Sequence, residues 1–192
     1  MTKTLATYWN FLWAGLVKHE QTGAVVPSQR FLISKMIAPV PESYSGELLE
    51  LGPGNGALTL RLAKRCPAAR ILACEINPAL AKDCRDKLAS ANLESRVKVI
   101  CDSAEHLLAG MAASGKRGPD FIFSGIPLAN VRHDHALALV DKIHQCLVDG
   151  GMYIQFQHSL IDRKTILARF PKLRTVPAFL NFPPAFVYYA RK

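Results

Sequence analysis

The arrangement of apolar and polar positions along the chain predicts alternating strands and helices. Short apolar runs occupy residues 47–51, 70–75, 96–101, 120–124 and 152–157. Helical spacing of apolar residues, mostly after a turn or capping residue, predicts helices over 28–37, 57–64, 77–91, 103–113, 133–147 and 162–170. Two more strands are expected at 173–178 and 185–191, the last of them antiparallel. Such alternation indicates an α/β protein with a seven-stranded, mostly parallel sheet and helices on both faces.

A separate amphipathic pattern precedes these elements, in residues 4–18. Its apolar positions recur at helical spacing and include both tryptophans of the protein: Leu5, Tyr8, Trp9, Leu12, Trp13 and Leu16. Aromatic and leucine side chains on one helix face, with lysines at the ends, suit a lipid headgroup region. Packing of the same face onto the following domain is the alternative. We therefore predict an N-terminal helical and lid segment over 1–40 and a ligand-binding domain over 41–192.

The first predicted strand runs into a glycine-rich turn, Glu50-Leu51-Gly52-Pro53-Gly54-Asn55-Gly56, and then into a helix. Strand, glycine turn and helix in this order open a Rossmann-like nucleotide-binding domain. The turn fits two ligands, a dinucleotide or S-adenosylmethionine (SAM). A carboxylate at Glu50 would repel a pyrophosphate, whereas it attracts the ammonium and sulfonium groups of SAM. The turn therefore favours SAM, bound near Glu50, Gly52, Gly54 and Asn55.

Acidic and small residues follow the next two strands, where ligands bind in this architecture. Glu75-Ile76 ends the second strand, about twenty residues past the glycine turn, and Glu75 is expected to accept the ribose hydroxyls. Asp102-Ser103-Ala104 ends the third strand. Here Asp102 can accept from an adenine amino group, and Ser103 or Ala104 can offer a backbone N–H.

Composition bounds the class of protein. The 192 residues are 49% apolar, enough for one domain with a core, and the five cysteines form no C-x-x-C pair. We expect buried free thiols in a reducing compartment, with no secretory signal and no membrane span. The net charge of +9 favours an anionic partner, either nucleic acid or an anionic membrane surface. The six scattered histidines predict no metal site.

The stretch Ser124-Gly125-Ile126-Pro127-Leu128 follows the fourth strand, where methyltransferases place the methyl acceptor. Enzymes that methylate adenine or glutamine nitrogens usually carry Asn/Asp-Pro-Pro-Tyr or Asn-Leu-Pro-Tyr there. In this chain Ser124 is expected in the amide position, close to the cofactor, and Leu128 in that of the stacking ring. Without an aromatic ring at this position there is no stacking platform, which counts against a flipped nucleobase as acceptor.

Five stretches together resemble the bacterial phospholipid N-methyltransferase family, which is similar to the rRNA adenine dimethylases. They are Thr22-Gly23-Ala24-Val25-Val26-Pro27-Ser28, the turn from Glu50 to Gly56, the stretch from Ser124 to Leu128, Gln155-Phe156-Gln157 and Asn181-Phe182-Pro183-Pro184-Ala185. The resemblance implies a class I methyltransferase fold and SAM-dependent methylation of phosphatidylethanolamine toward phosphatidylcholine. It also implies a cytoplasmic enzyme held peripherally on the inner face of the membrane by an N-terminal amphipathic helix.

Two positions depart from the pattern of that family and bear on the head group. Gln29 stands where a second serine is common and is expected near the cofactor, and His158 stands in place of a tyrosine or another polar residue. Transfer to a primary amine needs prior loss of a proton, because the pKa of such an amine is roughly 10. His158 and Glu20 are the candidate proton acceptors.

Other readings of the same cofactor site stay open. They are an rRNA adenine N6-methyltransferase, a small-molecule N-methyltransferase, and a SAM-binding protein without transferase activity. The acceptor stretch and the Trp-rich segment favour a lipid over nucleic acid.

Overall fold

A computed structural model describes residues 27–179 and 184–192 of the chain. The strands in this part are β1 (Glu47–Leu51), β2 (Arg70–Glu75), β3 (Val97–Cys101), β4 (Phe121–Ser124), β5 (Met152–Gln157), β6 (Lys172–Ala178) and β7 (Ala185–Arg191). The helices are α1 (Pro27–Ile37), α2 (Ala57–Arg65), α3 (Pro78–Ser90), α4 (Ala104–Ala113), α5 (His133–Cys146) and α6 (Arg163–Leu167), with a 3-10 turn over Leu128–Asn130.

The strands form one sheet in the order β3-β2-β1-β4-β5-β7-β6. β7 runs antiparallel to both of its neighbours, and the other ladders are parallel. The strand order reverses between β1 and β4, and a crevice forms outside the carboxyl ends of the strands at such a point. The fold is the α/β class that the sequence predicts, including the antiparallel last strand.

Local sequence explains how the helices at this crevice begin. The Asn77 side chain accepts from the backbone N–H groups of Ala79 and Leu80 at 2.9 and 3.3 Å, and Pro78 occupies the first turn of α3. The Ser103 hydroxyl accepts from the His106 N–H at 3.1 Å and caps α4. Each cap stands two residues after a strand, so β2 and β3 end at fixed points along the crevice.

Alternation along the strands divides the core into two layers. Leu48 of β1 packs in the layer with α1, α2 and α3, whereas Leu49 and Leu51 pack in the layer with α4 and α5. Leu32 and Met36 of α1 are buried in the first layer. Helix α1, which the sequence groups with the N-terminal segment, therefore packs into the core of the same domain.

The structure corrects several local expectations. The helix expected over 162–170 is limited to Arg163–Leu167, and the helix expected to begin at Ser28 already includes Pro27. Of the five cysteines, Cys101 is exposed and the other four are buried; none of the five is in a disulfide. The amphipathic segment 4–18 lies outside the described residues. Within the described part, no helix is both long and apolar enough to cross a membrane.

Candidate active site

The glycine turn brings the backbone close to the crevice. Gly52, Gly54 and Gly56 have positive φ values of 71°, 58° and 82°. A Cβ on Gly52 would lie 3.3 Å from the Ile126 side chain, and one on Gly56 would lie 2.6 Å from the Cys84 sulfur. Both positions need glycine, because other residues rarely adopt this backbone conformation and have no space here.

Glu75 holds this turn from the end of β2. Its side chain is fully buried, and its Oε2 accepts from the Gly54 N–H at 3.0 Å while Oε1 accepts from the Asn77 N–H at 2.9 Å. Burial raises the pKa of Glu75, and these backbone N–H groups oppose the rise. Each carboxylate oxygen keeps acceptor capacity for a hydroxyl. The position fits the ribose-binding role predicted for Glu75.

A cavity of about 300 Å³ lies beside Glu75. Its lining includes the predicted residues Gly52, Ile76, Asp102, Ser103 and Ala104. The carboxylate of Asp102 accepts from the Ser103 N–H at 2.7 Å and lies 2.6 Å from Nδ1 of His106, and the contact with His106 lowers the pKa of Asp102. Asp102 is therefore ionised and oriented at the cavity wall, as an acceptor for an amino group requires.

A second cavity, of about 340 Å³, lies on the other side of Gly52. We call it the acceptor cavity. Its lining is mainly apolar and comes from α1, the glycine turn, the loop after β4 and the end of β5: Leu32, Ile33, Met36, Pro53, Leu58, Pro127 and Phe156. The predicted residues Gln29, Glu50, Asn55 and His158 also line it. The two cavities meet at the backbone of Gly52, so a ligand on the turn can reach both.

Glu50 is the buried carboxylate of the acceptor cavity. It is 1% exposed, and its Oε2 has no hydrogen-bond partner among the described residues. Burial raises the pKa of Glu50 to about 7, Glu75 adds to the rise, and a hydrogen bond from Thr59 opposes it. An unpaired buried carboxylate is costly on its own and is stabilised by a cationic ligand.

Ser124 does not take the place that the sequence suggested for it. It is fully buried and lines neither cavity, and its hydroxyl accepts from the Ile126 N–H at 3.1 Å. Gly125 lines the acceptor cavity instead, with its N–H bonded to the Leu51 carbonyl at 2.9 Å. The reason is that Ser124 is the last residue of β4, with its side chain turned into the core. Ser124 therefore positions the loop and faces neither cavity.

Two glutamines of β5 fix the same loop, and sequence reasoning noticed them only as part of a motif. Nε2 of Gln155 and Nε2 of Gln157 donate to the Ile126 carbonyl at 2.7 and 3.1 Å. Tyr153 donates to Gln155 at 2.6 Å, so the network is buried and paired. Their spacing of two residues on one strand places both side chains on one face, which is the signal that could have assigned them this role.

The two predicted proton acceptors differ in what the structure shows. His158 lines the acceptor cavity, and its Nδ1 lies 3.0 Å from the Pro184 carbonyl. Because a carbonyl can only accept, Nδ1 carries the proton and Nε2 of the neutral ring is an acceptor. Glu20 lies outside the described residues. Within the described part, no group of three His, Cys, Asp or Glu side chains could hold a metal ion.

Comparison with known proteins gives the family. Residues 48–151 match a family described as a methyltransferase domain, and because this is more than half of the chain, the chain belongs to that family. It is a SAM-dependent methyltransferase. The acids and glycines described above lie at the carboxyl ends of the strands, where ligands bind in doubly wound folds.

Individual relatives agree with this fold. A Bacillus cereus O-methyltransferase solved in complex with SAH (S-adenosylhomocysteine) has a TM-score of 0.66 and 19% identity, covering 97% of this chain and 91% of that one. The N-methyltransferase NodS from Bradyrhizobium japonicum WM9, also solved with SAH, has a TM-score of 0.64 and 16% identity, covering 86% and 88%. At these identities the likeness concerns the fold alone.

One relative in sequence is a Drosophila melanogaster protein described as "Probable dimethyladenosine transferase". It is 27% identical over 86 residues, which are 45% of this chain and 28% of that protein. The match therefore spans little more than a quarter of the relative.

The residues of the crevice fit SAM. Glu50 offers a cationic group a buried oxygen that no residue of 27–179 or 184–192 bonds, and Gly52 leaves space that a Cβ would fill. Glu75 and Asp102 are ionisable acceptors on the wall of the adjoining cavity, suited to ribose and adenine. When bound, SAM supplies an electrophilic methyl group.

Proposed function

We propose that the protein methylates the amine of a phospholipid head group, converting phosphatidylethanolamine toward phosphatidylcholine at the membrane surface. The supporting observation is the chemistry of the acceptor cavity. Its walls are apolar, and apart from His158 its only ionisable lining residue among those described is Glu50. A cavity of this kind suits an aliphatic amine with an apolar attachment.

The loop after β4 argues against a nucleobase as acceptor. Leu128, in the position of the stacking aromatic ring, is 1% exposed and packs in the core. The Ile126 carbonyl already accepts two hydrogen bonds, which occupy both of its lone pairs. It has no capacity left for the amino group of a planar base.

Two side chains and the apolar walls of the acceptor cavity have roles in this proposal. Nε2 of His158 accepts the proton that the amine must lose, and the ring is held by the Pro184 carbonyl. Glu50 attracts the positive charge that enters the cavity. The apolar walls exclude water, so the amine is confined and oriented toward the turn.

The partners and location proposed with this function are an anionic membrane surface and the cytoplasmic side of the membrane. The net charge of +9 favours such a surface, and each Lys or Arg near it contributes about 1 kcal/mol. The helix proposed for residues 4–18 would add apolar contact.

Expression in a host that lacks phosphatidylcholine tests the proposal. Lipid extracts should contain mono-, di- or trimethylated phosphatidylethanolamine, and a strain with Glu75→Ala should contain less. Unchanged lipids, together with new N6-methyladenine in rRNA or new methylated small amines, would support one of the alternative acceptors instead.

A further inference from the structure

Four large apolar side chains are exposed in the described part of the chain, and their positions are not random. Ile161, Phe179, Leu160 and Ile76 are 76%, 69%, 49% and 47% exposed. Ile76 follows β2, Leu160 and Ile161 follow β5, and Phe179 follows β6. These strands all run in the same direction, so the four side chains lie at the sheet edge where both cavities open.

Ile76 lines the cavity beside Glu75, so a bound cofactor would cover this one of the four side chains. The other three line neither cavity. We call Leu160, Ile161 and Phe179 the apolar rim. Nothing in the described residues of the fold explains why these side chains face solvent.

Contacts between their loops bring the rim together. The Tyr188 hydroxyl donates to the Ser159 carbonyl at 3.0 Å, which ties the loop after β5 to β7. The rings of Phe179 and Phe186 are 6.5 Å apart, and Phe186 pairs with Gln157 at the end of β5. His158 and Ser159, which line the acceptor cavity, directly precede Leu160. The rim therefore borders the mouth of that cavity.

Positive charge adjoins the rim. Arg163 and Lys164 lie at the start of α6, separated from Ile161 by the buried Asp162, and both are exposed. Neither side chain forms an ion pair within the described residues. Exposed apolar tips beside unpaired cations match a bilayer interface, where the apolar groups enter the headgroup layer and the cations meet anionic lipid.

We propose that the apolar rim docks into the surface of a bilayer containing anionic lipid and so places the acceptor cavity against the head groups. This inference rests on the proposed function and names its docking face. RNA would use the cations and can stack a base on Phe179, but it has no use for the aliphatic Leu160 and Ile161. A second copy of the chain would use the apolar side chains but not the cations. Only a charged bilayer uses the cations together with all three apolar side chains.

Vesicle sedimentation of the full chain tests the proposal. The vesicles contain phosphatidylethanolamine with or without phosphatidylglycerol. Ile161→Ser with Phe179→Ser should lower partitioning at least tenfold at both low and high salt. Arg163→Gln with Lys164→Gln should lower partitioning by about 25-fold, since each cation contributes about fivefold. This loss should appear only at low salt and with phosphatidylglycerol.

Matched controls and a second assay separate the outcomes. Lys98→Gln with Lys116→Gln removes two exposed cations away from the rim and should leave partitioning unchanged. All the altered side chains are exposed, so melting temperatures should match that of the parent. The proposal would be overturned if the apolar double variant and the Arg163/Lys164 double variant both partitioned like the parent. It would also be overturned if these variants lost a dimer or lost RNA binding while their vesicle binding was unaffected.

Methylation of short-chain phosphatidylethanolamine, dissolved as monomers, distinguishes failure of the docking face from failure of the proposed function. The rim variants should methylate this substrate as the parent does. If the parent itself does not, the acceptor is wrong, whatever the vesicles show.

Discussion

Replacement of Glu50 by glutamine separates the stability of the protein from its ligand binding. Glu50 is buried, its Oε2 has no partner in the part of the chain that the structure describes, and its pKa is raised from 4.5 to about 7. Because the pKa is higher in the folded state, the contribution to stability is fully present below pH 4.5 and is lost as the pH rises through 7. The interval from 4.5 to about 7, at about 1.36 kcal/mol per pH unit, corresponds to about 3 kcal/mol.

Glutamine has nearly the same shape and no charge. At pH 8 we expect Glu50→Gln to raise the free energy of unfolding of the ligand-free protein by up to about 3 kcal/mol, a rise in Tm of about 6 to 12 °C. At pH 4.5, where the parent carboxyl is protonated, the two proteins should melt within a degree or two of each other. The affinity for SAH at pH 8 should fall by about 1.5 to 3 kcal/mol, because the charge facing its ammonium group is lost.

Scanning calorimetry at both pH values and titration calorimetry with SAH give these quantities. Glu42→Gln is the matched control, since Glu42 is exposed and its ion pair with Arg65 contributes little. If Glu50→Gln lowered Tm at pH 8, or left SAH affinity unchanged, Glu50 would not be an unpaired charge reserved for the ligand.

Four further outcomes are expected. Glu75→Ala should weaken SAH binding by about 1.5 to 3 kcal/mol in titration calorimetry, since a buried acceptor of the turn is lost; unchanged affinity would refute its role. His158→Ala should lower kcat on lipid about 10²-fold with SAH affinity intact, and an unaltered kcat would remove it as proton acceptor. Gly125→Ala should lower both Tm and SAH affinity, because its Cβ would lie 2.8 Å from a carbonyl oxygen of the glycine turn, whereas Gly110→Ala has open space and should not lower Tm. Deletion of residues 1–16 should abolish activity in bilayers while SAH affinity stays; a lower Tm with unchanged vesicle partitioning would show core packing instead.

The fold can be predicted from the sequence because each strand is a short apolar run followed by a turn or cap. The 11-residue helix α1 and the strands begin and end within one or two residues of the predicted positions. The predicted helix α6 is too long: the helix ends at Leu167 and the chain turns over Ala168 and Arg169. Phe170 is then buried against Tyr153, a contact between distant residues that periodicity cannot show.

The same distinction between local order and distant contacts applies to the candidate active site. Residues on the glycine turn and at strand ends, such as Glu75 and Asp102, were predictable because local order places them at the crevice. The side-chain direction of Ser124 and the pairing of Gln155 with the Ile126 carbonyl depend on how β4 and β5 pack. The lack of a partner for Oε2 of Glu50 among the described residues is likewise a property of the packed core.

The most direct measurement is transfer of a labelled methyl group by the purified full chain. SAM carrying a labelled methyl is incubated with vesicles of phosphatidylethanolamine and phosphatidylglycerol, with rRNA and with free ethanolamine, and each product is analysed by mass spectrometry. We expect label on the head-group nitrogen of phosphatidylethanolamine and none on adenine or ethanolamine. Label on adenine or free ethanolamine, with the lipid unlabelled, would contradict the proposed function.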